Sequence, residues 1–297
     1  MKGKWICTGL FIFTMFLCMK AYCVSSSPYY ELLVAGFENN ESLFRTADIT
    51  IEETYLPPEE ALMPPGSNGM FTEEFGTLQL HWIFDGGKLR SDVYEKSGNN
   101  NWKPRLLQSY DREKVILYNV LQEQAHVKSD PAKIVYDFRV LFGLRDPGGR
   151  TWSEMIQKYP TDIEKIEVGN DTLFVLTIHA SDLKKIDKIW VSASKNFRVI
   201  KEEYYNLTGE LRRVLEYLDF EKINDQMWLP KFARQLLLIP SENGSFVYNQ
   251  KKWMRDSTRE SHVISWQVNQ PVSPEAFTIM LPDGVKLFDD IIGVQVK

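Results

Sequence analysis

Cysteine is almost absent. The 297 residues contain three, and all of them (Cys7, Cys18 and Cys23) fall within the first 23 positions. A cut after Cys23 leaves a chain with no disulfide, thiolate metal site or cysteine nucleophile. Histidine is nearly as scarce, with His81, His126, His179 and His262 the only four. No two of them share a compact spacing such as His-x-x-x-His, so the pattern of a zinc centre is missing. No Gly-x-Ser-x-Gly elbow occurs, and no Gly-rich phosphate loop stands between a strand and a helix. Gly86-Gly87 and Gly148-Gly149 read as turns. Nor is positive charge in excess. Lys and Arg number 35 against 40 Asp and Glu, a net charge of −5, which argues against a nucleic-acid partner. With 17 Gly and 14 Pro, collagen-like and low-complexity classes are excluded. Carboxylate pairs do occur at Glu52-Glu53, Glu59-Glu60 and Asp289-Asp290, but neighbours on a strand point to opposite faces and cannot act as acid and base on one substrate. They read as solvated. These absences predict a protein that is not an enzyme and carries neither cofactor nor metal.

The one long apolar run lies at the start. Lys2 and Lys4 precede Trp5 to Met19, and Ala21 and Cys23 put small residues at −3 and −1 of a cut before Val24. Lys20 ends the run short of the roughly 20 residues that a spanning helix needs. Residues 1–23 therefore read as a signal peptide and 24–297 as a single domain. An uncleaved segment that anchors the chain to a membrane is the alternative. Lipid attachment at Cys23 is disfavoured by Lys20 and Tyr22 at −3 and −1. Sequons at Asn40, Asn170, Asn206 and Asn243 matter only in a eukaryotic host.

What is present is a composition that is 43% hydrophobic, 25% charged and 13% aromatic, as expected of a globular chain. A short helix is expected from Pro28 to Phe37. Thr46 to Tyr55 then alternates, with Ala47, Ile49, Ile51 and Tyr55 on one face, as a half-buried strand does. Pro57-Pro58 and Pro64-Pro65-Gly66 mark a loop from Leu56 to Glu74. Leu78, Leu80, Trp82 and Phe84 share a face of the next strand, and Asp85-Gly86-Gly87-Lys88 turns it back along Leu89 to Glu95. Leu106–Tyr110 and Val115–Val120 follow. The period then changes. Ser129-Asp130-Pro131 offers a cap and a first-turn proline, and Ile134, Val135, Phe138, Leu141 and Phe142 form a helical stripe. Thr151-Trp152-Ser153-Glu154 is a capping box for a second helix with Trp152, Met155, Ile156 and Tyr159 on its apolar side. From Ile163 onward short strands return, including Phe277–Leu281 and Ile291–Val296. The total is eleven to thirteen strands with antiparallel neighbours and a helical insert at about 130–160. The fold class is mainly β: a large curved antiparallel sheet or unclosed barrel with a short helical insert.

The aromatics in these patterns read first as core, since two amphipathic helices can cover the apolar face of a sheet. The functional reading is that a large curved sheet encloses more space than two short helices fill, leaving an apolar cavity with the helices as lid. Three stretches add a resemblance. Thr77–Tyr94, with Trp82 and Leu89-Arg90, resembles the early hairpin of the outer-membrane lipoprotein carrier (LolA-like) superfamily. Ser129–Leu144 resembles that family's Thr-Pro-x-x-Leu-Leu helix, and Ile189–Ser194 with Phe197–Leu211 resembles its later strand pair. The resemblance covers about residues 40 to 240. It implies an unclosed barrel around an apolar cavity that binds acyl chains of lipids or lipoproteins, in exchange with a membrane-bound donor or acceptor. It also implies a periplasmic location and a role in outer-membrane biogenesis. Trp82, Phe84, Ile134, Phe138, Leu141, Phe142, Trp152, Met155 and Ile156 would line or close the cavity, and Arg145–Arg150 would be the hinge. The family's lid-holding arginine has two counterparts here, Arg45 and Arg90. The alternative is an envelope sensor or scaffold domain that binds another protein and carries no lipid.

Overall fold

Hairpin connections with positive-φ residues at their tips drive the architecture. Gly86 and Gly87, at φ +51° and +109°, close the first hairpin where the sequence places Asp-Gly-Gly. Strands β1 (Thr46–Leu56), β2 (Thr77–Asp85), β3 (Lys88–Lys96), β4 (Trp102–Tyr110), β5 (Val115–Asn119) and β6 (Gln124–Lys128) follow in order. After the insert come β7 (Thr161–Val168), β8 (Asp171–Ala180), β9 (Lys185–Ser192), β10 (Arg198–Asn206), β11 (Leu211–Lys222) and β12 (Trp228–Pro240). β13 (Phe246–Tyr248), β14 (Lys251–Val268), β15 (Lys286–Asp289) and β16 (Val294–Gln295) end the chain. These elements come from a computed structural model that describes residues 27–56, 77–97, 101–129, 138–240, 246–248, 251–289 and 294–295. The predicted signal segment, most of the 56–74 loop and Ile134 lie outside them.

The described strands form one 16-stranded sheet in the order β16-β15-β6-β5-β4-β3-β2-β1-β14-β12-β11-β10-β9-β8-β7, with β13 paired to β14. The sheet is not closed, and its ends are β16 and β7. All pairings are antiparallel except β15 on β6. The sheet is thus larger than the sequence reading predicts. β6 escaped because Gln124–Lys128 has little apolar alternation, and β14 is a single strand of 18 residues where two were expected. Phe277–Leu281, expected as a strand, is a 3-10 turn (Pro274–Phe277) followed by irregular chain. Its Phe277 and Ile279 are buried as alternation suggests. Its Ala276 and Thr278 carbonyls, however, accept from the Arg90 guanidinium at 2.9 and 3.2 Å instead of from a ladder.

Helix α1 spans Tyr30–Ser42, longer than expected because the stripe Tyr30, Leu33, Val34, Phe37 continues to a buried Asn40. The Asn40 amide donates to the carbonyls of Asn196 and Phe197, at 2.8 and 3.1 Å, so that sequon is used inside the fold. Gly36 lets the helix approach: a Cβ there would lie 2.6 Å from the Phe197 ring. The described part of the insert contains α2 (Phe138–Leu141) and α3 (Trp152–Lys158), whose Thr151/Glu154 capping box is formed as expected, while residues 130–137 of the first expected helix, Val135 among them, lie outside the described residues. α1 and α3 pack on β8–β11 in one buried cluster, and α2 packs on β1–β3 in another.

The contacts of α2 show that the sheet curves. The ring of Phe138 lies 6.0 Å from that of Phe84 on β2, while the Val140 carbonyl accepts from the Tyr217 hydroxyl of β11 at 3.2 Å. β2 and β11 are four strand spacings apart, about 19 Å along a flat sheet. One helical turn touches both only if the sheet wraps around it.

Candidate functional site

Register defines the inner face of the wrapped sheet. Ile49 pairs with Trp82 and Ile51 with Leu80, and Phe84 follows two residues after Trp82 on the same side. Trp82, Phe84, Phe138, Leu141 and Phe142 all meet there in one cluster, and Phe138 is 0% exposed. Rings of Phe44, Trp82, Phe84 and Phe142 surround Phe138 at centroid distances of 6.0 to 6.5 Å. Trp152, Met155 and Ile156 sit in the neighbouring cluster with α1, Phe174 and Leu176. The apolar residues expected to line or close the cavity, within the described chain, are therefore all interior, but they divide between two clusters joined by the insert.

Backbone polarity explains how the insert is fixed. The last carbonyls of a helical turn have no partner of their own. Here backbone and side chains share them: Phe138 O, Arg139 O and Val140 O accept from following N–H groups, Val140 O also accepts from the Tyr217 hydroxyl, and just beyond the turn Phe142 O accepts from the Arg198 guanidinium and Gly143 O from the Trp152 indole at 3.2 Å. Gly143 itself has φ +65°, and a Cβ there would lie 2.9 Å from the Tyr217 ring. The loop expected to act as a hinge is fastened at both ends. Arg145 makes a two-pronged contact with Glu41 of α1 at 2.9 and 3.1 Å, and the fully buried Asp146 binds Arg150 and Lys185. Arg90 lies against Asp92 and the 276–278 segment, and Arg45 is exposed at the start of β1. The arginine that holds the insert's backbone is Arg198, which sequence reading had not singled out. Burial pulls its pKa down to about 10, still charged at neutral pH.

Beyond the insert the inner face turns polar. Glu202 pairs with Leu215, Leu215 with Gln235, and Gln235 with Arg259, so all four point inward. Arg213, two residues from Leu215, shares that face. Arg213 donates to Glu202 at 3.2 Å and Arg259 to Gln235 at 3.0 Å. Across β14 and β1, Glu53 accepts from Ser261 at 3.2 Å and from Tyr55 at 3.1 Å, with the Arg259 guanidinium 3.9 Å away. Glu53, read from sequence as solvated, is therefore buried within a network. Next to this band, Lys185 bridges Asp146 and Asp187 at 3.2 and 2.6 Å. Burial pushes Glu202 up to about 7, and burial with the nearby Asp146 charge raises Asp187. Burial would raise Asp146 as well, but hydrogen bonds from Arg150 and the Lys185 charge outweigh it and hold that carboxyl low.

On the outside of α3 a groove of about 440 Å³ is lined by Arg150, Glu154, Met155, Gln157, Lys158 and Tyr159. Among the described residues no group of three or more His, Cys, Asp or Glu is placed to hold a metal. No described helix is long and apolar enough to cross a membrane.

No protein-family model matches the chain, and no curated protein matches its sequence. Solved structures do. A DUF1329 family protein from Desulfovibrio piger aligns over 85% of this chain and 98% of its own, with TM-score 0.52 and 11% identity. A domain assigned to outer membrane lipoprotein sorting, from Vibrio parahaemolyticus, aligns over 84% and 97% with TM-score 0.48 and 12% identity. A LolA superfamily protein from Nitrosomonas europaea aligns over 82% and 96% with TM-score 0.48 and 11% identity. The fold is that of the DUF1329 family protein, a large unclosed antiparallel sheet with internal helices. The structural likeness rests on the first of the three, together with the unclosed antiparallel sheet and its internal helices. At such identities it concerns architecture alone.

Proposed function

We propose that this is a non-enzymatic exported protein of the carrier or sorting type, which binds acyl chains of lipids or lipoproteins on the inner face of its sheet. The observation that supports this most is the way the interior is filled. Phe138, Phe142 and Trp152 come from the insert and not from the sheet itself, and the insert's backbone is held to the sheet by Tyr217 and Arg198. If the insert moves out, an apolar trough lined by Trp82, Phe84, Leu80 and Ile49 is left for a ligand. Each methylene buried there contributes about 0.8 kcal/mol, so a long acyl chain can replace the insert's rings without polar contacts. On this reading the signal segment delivers the chain to the periplasm, and a membrane-bound donor or acceptor supplies or takes the cargo.

A second reading is favoured by the same burial. Phe138, Met155 and Ile156 are each 0% exposed, while Leu218 and Ile264 remain open to solvent. A filled core with exposed apolar residues suits an envelope sensor or scaffold that docks a protein. Lipid mass spectrometry on the mature protein, purified without detergent beside an unrelated exported protein, tests the two. A stoichiometric and selective lipid supports the carrier. If no lipid is found and a fluorescent fatty acid does not bind, the carrier reading is overturned in favour of the second.

A further inference from the structure

The polar band lies on the inner face outside the apolar clusters, and burying charge there is costly. Taking an ion pair out of water is seldom offset by its mutual attraction, and apolar residues of similar volume are often at least as stabilising. Yet five consecutive strands carry the band across the sheet: Glu202 on β10, Arg213 on β11, Gln235 on β12, Arg259 with Ser261 on β14, and Glu53 on β1. It lies beside the insert. Arg213 is four residues from Tyr217 along β11, about 13 Å at the rise of a strand, and Tyr217 touches Val140 of α2.

We infer that this band is a subsite for an uncharged polar group of an amphiphilic ligand, an amide or hydroxyl at the head of an acyl chain. The inference rests on the acyl-chain reading and adds to it the class of headgroup. Two observations carry it. First, the band holds both an acceptor and a donor without a partner among the described residues. Oε2 of Glu202, on a side chain that is 0% exposed and points inward, has no hydrogen-bond partner, and neither does the buried Nε of the adjacent Arg213. A group that donates and accepts at once satisfies both, as an amide does. Second, the charges already balance. Lys185, Arg150, Arg213 and Arg259 face Asp187, Asp146, Glu202 and Glu53, so a ligand bringing a net charge would leave one uncompensated in a buried site.

The test uses three probes of one chain length, N-dodecanoylglycinamide, dodecanoate and dodecyltrimethylammonium, titrated calorimetrically into the mature protein below their micelle concentrations. The expected result is that the amide binds about tenfold more tightly than either charged probe, the effect of one additional satisfied buried hydrogen bond. In the double variant Glu202→Leu/Arg213→Met, which removes both charges together, the three affinities converge. Equal affinities in the natural protein, or a preference that survives in the folded double variant, overturn the subsite and leave the acyl-chain reading standing. Failure of all three probes to bind overturns that reading and the subsite with it. The selectivity series on the natural protein decides the matter even if the double variant does not fold.

Discussion

Replacing Glu202 with Gln should reshape how stability depends on pH. The carboxyl is 0% exposed, and burial raises its pKa from the ordinary 4.5 to about 7. For an acid the sign is unusual. Between those two values the unfolded chain has released its proton while the folded chain keeps it, so unfolding becomes easier as pH rises. The span is about 2.5 units, and each is worth 1.36 kcal/mol, so this group removes about 3 kcal/mol of stability between pH 4.5 and 7. Above pH 7 the loss is complete. Asp187 shifts in the same direction and steepens the fall. Asp146 shifts the other way, and its contribution is lost only as pH drops below the ordinary carboxylate range. Gln resembles the protonated acid: it can still accept from Arg213, and it never ionises. Urea unfolding of the natural protein and Glu202→Gln at pH 5, 6, 7 and 8 should therefore diverge. The variant should gain on the natural protein progressively, by about 3 kcal/mol at pH 8. Parallel profiles from pH 5 to 8 would refute the assignment of a buried, proton-holding carboxyl.

Other substitutions address the insert. Phe138→Ala removes the ring at the centre of the aromatic cluster and should destabilise the fold by about 3–5 kcal/mol. If the insert moves to admit ligand, the same variant should bind a fluorescent fatty acid more tightly, because loosening the closed state raises the open population; unchanged or weaker binding in the folded variant counts against a moving insert. Tyr217→Phe loses the hydroxyl contact to Val140 at a cost of about 1 kcal/mol, and faster amide exchange confined to residues 138–146 is the expected mark. Gly143→Ala places a Cβ against the Tyr217 ring at positive φ, for about 1–3 kcal/mol of destabilisation by urea unfolding. A double variant with Tyr217→Leu should recover part of that loss, and no recovery would locate the strain in φ alone.

Much of this architecture is legible in the residue order. Alternation in Thr46–Tyr55 and Thr77–Phe84 identifies strands and the face they bury, because side chains of a strand alternate whatever it pairs with. Asp-Gly-Gly identifies the first hairpin, and Thr151-Trp152-Ser153-Glu154 identifies a helix start that the structure forms in full. The aromatic residues of the insert are likewise recognisable as interior. Pairings between distant segments are not legible. β1 lies between β2 and β14, and nothing in Thr46–Leu56 indicates that its second partner begins some 200 residues later. The polar band was missed for the same reason. Glu53, Arg213, Gln235 and Arg259 sit on four strands, and each alone reads as a solvated charge or amide.

Local sequence therefore determined most of the elements: which of the alternating segments extend, where the first hairpin turns, which helix is capped, and that the described chain is a mainly antiparallel sheet with a helical insert. Those properties depend on neighbours within a few residues, where backbone sterics and side-chain period act directly. Tertiary structure alone decided what meets inside the sheet. The wrap brings Phe84 and Tyr217 to one turn of helix, gives Arg198 the carbonyl of Phe142, and aligns five strands so that isolated charges become a buried row. Burial changes the chemistry of such groups, since desolvation raises a carboxyl such as Glu202 toward neutrality only once the fold has removed its water.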